Sequence, residues 1–255
     1  MRTFRNLLLA VIPLFGAGVS SASLTYTYTS SNYGPGLSSI PNQTLNGISV
    51  GETGVWVNVN NSGATVTGTG NDFAATEIAE YAGDGIGVCN PAEQQTGCAA
   101  PQHQIDNYNG MDFARFSFSA AVSLNDVYVV GFGNPTGVNG SYNDVDLSYS
   151  ILTAGQATAL TNGTLAFTGV NFTTMSTNFY GYNDYSLTGT GQYVLIGTAV
   201  TPYYGDGSAG QATPDAFKIQ TLTVTAATPE PASWLLIGSG LMCIAFAASR
   251  RPVAR

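Results

Sequence analysis

The sequence predicts an all-β fold: a single β-sandwich or jelly-roll-like body set between an N-terminal signal helix and a C-terminal transmembrane helix. Three observations predict it. Short runs alternate apolar and polar residues with period two. Gly, Asn, Asp and Pro separate those runs. The long apolar tracts lie at the two ends, within 1–22 and 229–255, which leaves 23–228 as the body.

The first tract has the parts of a secretory signal. Arg2 and Arg5 precede an apolar stretch from Leu7 to Val19, and Ser20-Ser21-Ala22 supplies a small-residue cleavage site for signal peptidase. The strands begin directly after it. Leu24–Thr29 places Tyr26 and Tyr28 on one face and three Thr on the other, and Val55–Val59 repeats the pattern with Val55, Val57 and Val59. Phe73–Tyr81 is the exception and is expected to be a short helix. Further strands are expected at Phe113–Phe118, Asp126–Phe132, Asp144–Tyr149, Thr164–Thr168, Gln192–Gly197 and Ala216–Thr225. Their β-branched and aromatic residues are divided by turns such as Gly133-Asn134-Pro135 and Asn162-Gly163.

The body carries fourteen acids and two bases, Arg115 and Lys218, for a formal charge of −12. Such a surface repels phosphate backbones, which argues against nucleic acid as a partner. It suits cations, neutral glycans or plain solubility. The body's Val, Ile, Leu, Phe and Tyr content is high enough to bury a core.

Few groups suit catalysis. His103 is the only histidine, no G-x-S-x-G elbow is present, and Cys89 and Cys98 read as a disulfide closing a turn-rich loop. Zinc would lack its usual ligands. Two carboxylates working on a glycan remain an alternative, because such acids can come from anywhere in the chain. The expectation is a protein that is not an enzyme.

Two binding features stand out. Asp84, Asp106, Asp112, Asp144 and Asp146 lie in Gly- and Asn-rich surroundings, and oxygen-rich loops can hold a structural Ca²⁺. The alternative is that they cap turns through side-chain hydrogen bonds. Tyr180, Tyr182, Tyr185, Tyr203 and Tyr204 form the richest aromatic group, which can stack on sugars or serve as cross-strand filler.

The second tract reads Pro229-Glu230-Pro231, an apolar run to Ala248, and then Arg250-Arg251. A transmembrane helix is expected at about 232–249, with the basic end held on the cytoplasmic side. In that order the three parts resemble the PEP-CTERM sorting signal. The resemblance implies a substrate of an exosortase-type membrane protease in a bacterium. It further implies an exported protein that is anchored briefly in the inner membrane and then placed at the cell surface or outside. A looser similarity covers roughly 81–150, where Gly85–Asn90, Cys98, His103–Asn107 and Phe113–Phe118 resemble a recurring core of PEP-CTERM bodies. Those bodies look like β-sandwiches and offer no catalytic residue to transfer.

The leading functional expectation is a non-enzymatic surface or matrix protein associated with exopolysaccharide or biofilm. The alternatives are a secreted carboxylate-dependent glycan hydrolase and an ice- or crystal-surface-binding protein. For the last, Thr25-x-Thr27-x-Thr29 and Thr65-x-Thr67-x-Thr69 have suitable local spacing but no fixed repeat.

Overall fold

The structure, a computed structural model, describes residues 22–30, 33–57, 72–91, 104–106, 110–131, 145–175, 182–200 and 216–227. Residues 1–21 and 228–255 lie outside these residues, as do Cys98, His103, Asp144, Tyr180, Tyr203 and Tyr204. Among the described residues no helix is long and apolar enough to cross a membrane.

The described body is built of strands: β1 (Ser23–Thr27), β2 (Tyr33–Leu37), β3 (Ile40–Leu45), β4 (Ile48–Val57), β5 (Phe73–Tyr81), β6 (Gly85–Cys89), β7 (Ile105–Asp106), β8 (Met111–Gly131), β9 (Leu147–Leu152), β10 (Thr173–Met175), β11 (Tyr182–Ser186), β12 (Thr190–Thr198) and β13 (Ala216–Ala226). One helix, α1 (Ala154–Thr161), interrupts them. The all-β expectation therefore holds for the body.

β8 organises the rest. Two separate strands were expected at Phe113–Phe118 and Asp126–Phe132, but Met111–Gly131 is one continuous strand. Its first half pairs antiparallel with β4 and β12, and its second half pairs with β13 and β11. β13 meets β6 at Ile219 and Ile86, β6 pairs with β5, and β5 pairs with β4. The five pairings close a ring: β8, β4, β5, β6, β13. All strands thus belong to one connected sheet that closes on itself like a small barrel, where two separate sandwich layers had been expected.

The main core fills the closed part. Tyr26, Tyr28, Val50, Ile86, Phe116, Val127, Val129, Phe217 and Leu222 are all fully buried there. Burying each large side chain contributes roughly 1.5–3 kcal/mol. A second cluster covers the opposite face of β4, β8 and β12, where Val57, Phe73, Met111, Phe113 and Leu195 pack under Leu160 of α1, Leu165 and Val170. Both faces of this region are therefore dry.

Two local expectations fail. Phe73–Tyr81 is a strand, paired with β4 through Phe73–Thr76 and with β6 through Glu77–Tyr81. The backbone bonds offered by neighbours on both sides outweigh the helical preference of Ala and Glu, which is worth only roughly a few tenths of a kcal/mol per residue. Thr164–Thr168 is not a strand: Phe167–Gly169 forms a single 3₁₀ turn, whose Phe167 N–H donates to Asp72 at 2.8 Å. The start of α1 carries a local signal. Thr153 and Gln156 form a capping box, with Gln156 N–H donating to Thr153 Oγ1 at 3.2 Å and Thr153 N–H donating to Gln156 Oε1 at 2.9 Å.

Candidate functional site

The expected alternation in β1 is observed: Leu24, Tyr26 and Tyr28 point into the core while Ser23, Thr25 and Thr27 are exposed. Pairing extends this outer face across four more strands. Ser23, Thr25 and Thr27 lie opposite Thr225, Thr223 and Thr221 of β13. Those lie opposite Ser123, Asp126 and Tyr128 of β8, with a register shift that leaves Asn125 as an extra residue. Beyond β8 come Thr190 of β12 and Ser186 and Asp184 of β11. The result is a face of small hydroxyls drawn from four distant parts of the chain.

The hydroxyls are tied to one another. Thr25 Oγ1 and Thr223 Oγ1 are 3.2 Å apart, Ser123 and Thr190 bond at 2.9 Å, Ser186 donates to Asp126 at 3.1 Å, and Asn125 bonds Thr225. These cross-strand bonds fix the outward oxygens in rows separated by about 4.8 Å between strands. At one end Tyr182 is 66 % exposed and stacks on Tyr128, with ring centroids 6.0 Å apart and planes 18° apart. Tyr185, from the same expected aromatic group, points inward and donates its hydroxyl to Val145 O. Residues an odd number of positions apart on one strand take opposite faces, so Tyr182 and Tyr185 cannot share a sugar platform.

The acids expected to hold calcium stand on different elements. Asp84, in the turn between β5 and β6, lies 3.7 Å from Lys218 Nζ. Lys218 is fully buried, and its ammonium lies 4.3 Å from the Tyr81 ring centroid. Burial lowers its pKa and the Asp84 charge opposes that. Asp106 sits on β7 opposite Ala216. Asp112 sits on β8 opposite Trp56, where Asn90 Nδ2 donates to it at 3.5 Å. Asp146 is buried just before β9. Asp144 lies outside the described residues. Among those residues no group of three such side chains could hold a metal ion.

Two acids are brought together in the interior instead. Glu52 of β4 and Glu80 of β5 are 0 % and 1 % exposed. Desolvation raises the Glu52 pKa to about 8; Glu80 adds to the rise and Tyr28 opposes it. The Tyr28 hydroxyl lies beside the Glu52 carboxyl without reaching good hydrogen-bond geometry. A two-acid glycan hydrolase needs its pair at a cleft with room for the sugar. This pair faces the core.

A family model described as the PEP-CTERM protein-sorting motif matches residues 227–251. The chain carries a PEP-CTERM sorting motif. Pro229, Glu230, Pro231, Arg250 and Arg251, singled out from the sequence, all fall inside the match. The motif marks an exported protein that is processed by an exosortase and anchored transiently in the membrane on the way to the surface. No curated protein and no solved structure matches the chain.

Proposed function

We propose that this PEP-CTERM protein is a non-catalytic surface module whose body associates with neutral or weakly charged exopolysaccharide. The observation that supports the reading is the stacked Tyr128–Tyr182 pair at the edge of the hydroxyl face. An exposed aromatic ring packs against the apolar face of a sugar, and rows of Ser and Thr beside it supply short-range donors and acceptors. The acid-rich surroundings disfavour phosphate polymers but not neutral glycans.

The test is retention of the purified body on extracted exopolysaccharide. Tyr182→Ala should weaken retention about two- to tenfold, given the 0.5–1.5 kcal/mol typical of an aromatic contact. Tyr182 is largely exposed, so its removal should leave the fold intact. Equal retention of both proteins would overturn the reading. Thermal hysteresis from a body that ignores polysaccharide would assign the hydroxyl face to ice or another crystal surface instead.

The tail reading extends to a temporary anchor. The apolar run 232–249 holds the protein in the inner membrane until the exosortase cuts near Pro229–Pro231, where proline keeps the backbone extended and open to a protease. Mass spectrometry of the extracellular form should give a C-terminus at or before that motif, and one still ending at Arg255 would refute it. Read without reduction, the same spectrum should show a peptide linking Cys89 to Cys98. Cys89 is buried at the end of β6, and the proposed partner lies outside the described residues.

A further inference from the structure

Arg115 stands on β8 with the parity of Met111 and Phe113, so it emerges on the face covered by α1. A groove of about 420 Å³ opens there. Its walls include Val55 of β4, Phe73 and Ala75 of β5, and Leu160 of α1, with the Thr53 hydroxyl and the guanidinium of Arg115 among the polar groups. That volume is within the range of small-molecule sites, and so is the mixture of apolar walls with a few polar groups.

The guanidinium is held in place. Its Nη1 donates to Thr161 Oγ1 at 2.9 Å, and its carbon lies 5.7 Å from the centroid of the Tyr193 ring. Its Nε is buried and has no hydrogen-bond partner. Among the described residues the ion pair is Lys218–Asp84, and no acid pairs with Arg115. In a body with fourteen acids and two bases, a fixed arginine without a carboxylate partner is unexpected on charge alone. Nε is sealed from the groove, so a ligand there would meet the outer Nη edge of the guanidinium, where Thr161 takes up Nη1 alone.

We infer that the Arg115 groove is a binding site for a carboxylate carried on a group of monosaccharide size. The Nη edge of the guanidinium would donate to the carboxylate, and Val55, Phe73 and Leu160 would contact the apolar side of the ring. This site is separate from the hydroxyl face and stands or falls independently of it.

The test is titration of the whole body with D-galacturonate, D-galactose and acetate, followed by NMR of the arginine Nε–H and by calorimetry. Galacturonate should bind and shift the Arg115 signal, and galactose should not. Acetate binding as tightly as galacturonate would identify a free carboxylate as the ligand, and weaker acetate binding would identify a sugar acid. Arg115→Gln should lower galacturonate affinity at least tenfold, and Arg115→Lys should fall between. Ala75→Trp fills the groove from β5 while leaving the arginine in the chain, and should abolish binding even if Arg115→Gln misfolds. Binding of galactose equal to that of galacturonate, no galacturonate binding by the wild-type body, or full binding by folded Arg115→Gln or Ala75→Trp would overturn the inference.

Discussion

Raising the pH from about 5 to about 8 should cost the folded body about 3 kcal/mol of stability through Glu52 alone. Its pKa is about 8 in the fold against 4.5 for the ordinary side chain. A group whose folded pKa is raised gives its full stability below the unfolded value. That stability is lost progressively as the unfolded chain ionises and the folded one does not, and the loss levels off once the pH passes the folded pKa. At neutral pH the core therefore holds Glu52 largely as the neutral acid, next to Tyr28 and Phe116. Denaturant titrations at the two pH values should show the difference. For a domain of this size it corresponds to a fall in Tm on the order of 10 °C. Glu52→Gln keeps the shape and removes the charge, so its stability should be nearly flat over the same range. Wild-type and Glu52→Gln profiles that run parallel would show that the slope arises elsewhere.

Gly85→Ala should destabilise the body by about 3–5 kcal/mol, combining backbone strain with overpacking. Gly85 has φ +108°, and an added Cβ would run into the carbonyl of Ile219. That approach adjoins the Ile86–Ile219 pairing through which β6 meets β13 and the ring closes. Backbone cannot move aside there without separating the two strands. Gly83 provides the comparison, with φ +88° and open space around its Cβ position. Gly83→Ala carries the backbone strain alone and should cost only about 1–2 kcal/mol. Chemical denaturation of the two variants checks this, and equal losses would mean that the contact with Ile219 is not what limits position 85.

Together these two positions show the tension in the fold. Closing the ring requires β6 and β13 to approach without side chains between them at Gly85. The same closure places Glu52 and Glu80 where water does not reach. The Glu52 carboxyl is tolerated because it can stay protonated, at a cost that grows with pH.

The sequence by itself determined the class of the body, several of its strands and its destination. The alternation of Leu24, Tyr26 and Tyr28 with Ser23, Thr25 and Thr27 is a local property, and the strand keeps it wherever it docks. The Thr153–Gln156 capping box is equally local and could have been read. The sorting motif is legible because its three parts are contiguous and in order. Tertiary structure alone decided the rest. Phe73–Tyr81 became a strand because β4 and β6 flank it, and β8 ran unbroken through Ser119–Ala121 because its two halves found different partners. Thr25 met Thr223, and Arg115 met Thr161, across separations of 198 and 46 residues. Period-two spacing states which residues share a face, but it carries no information on which strand lies alongside. Partner and register are chosen by the burial and pairing of the whole sheet, and the hydroxyl face, the Arg115 groove and the buried Glu52 exist only after that choice.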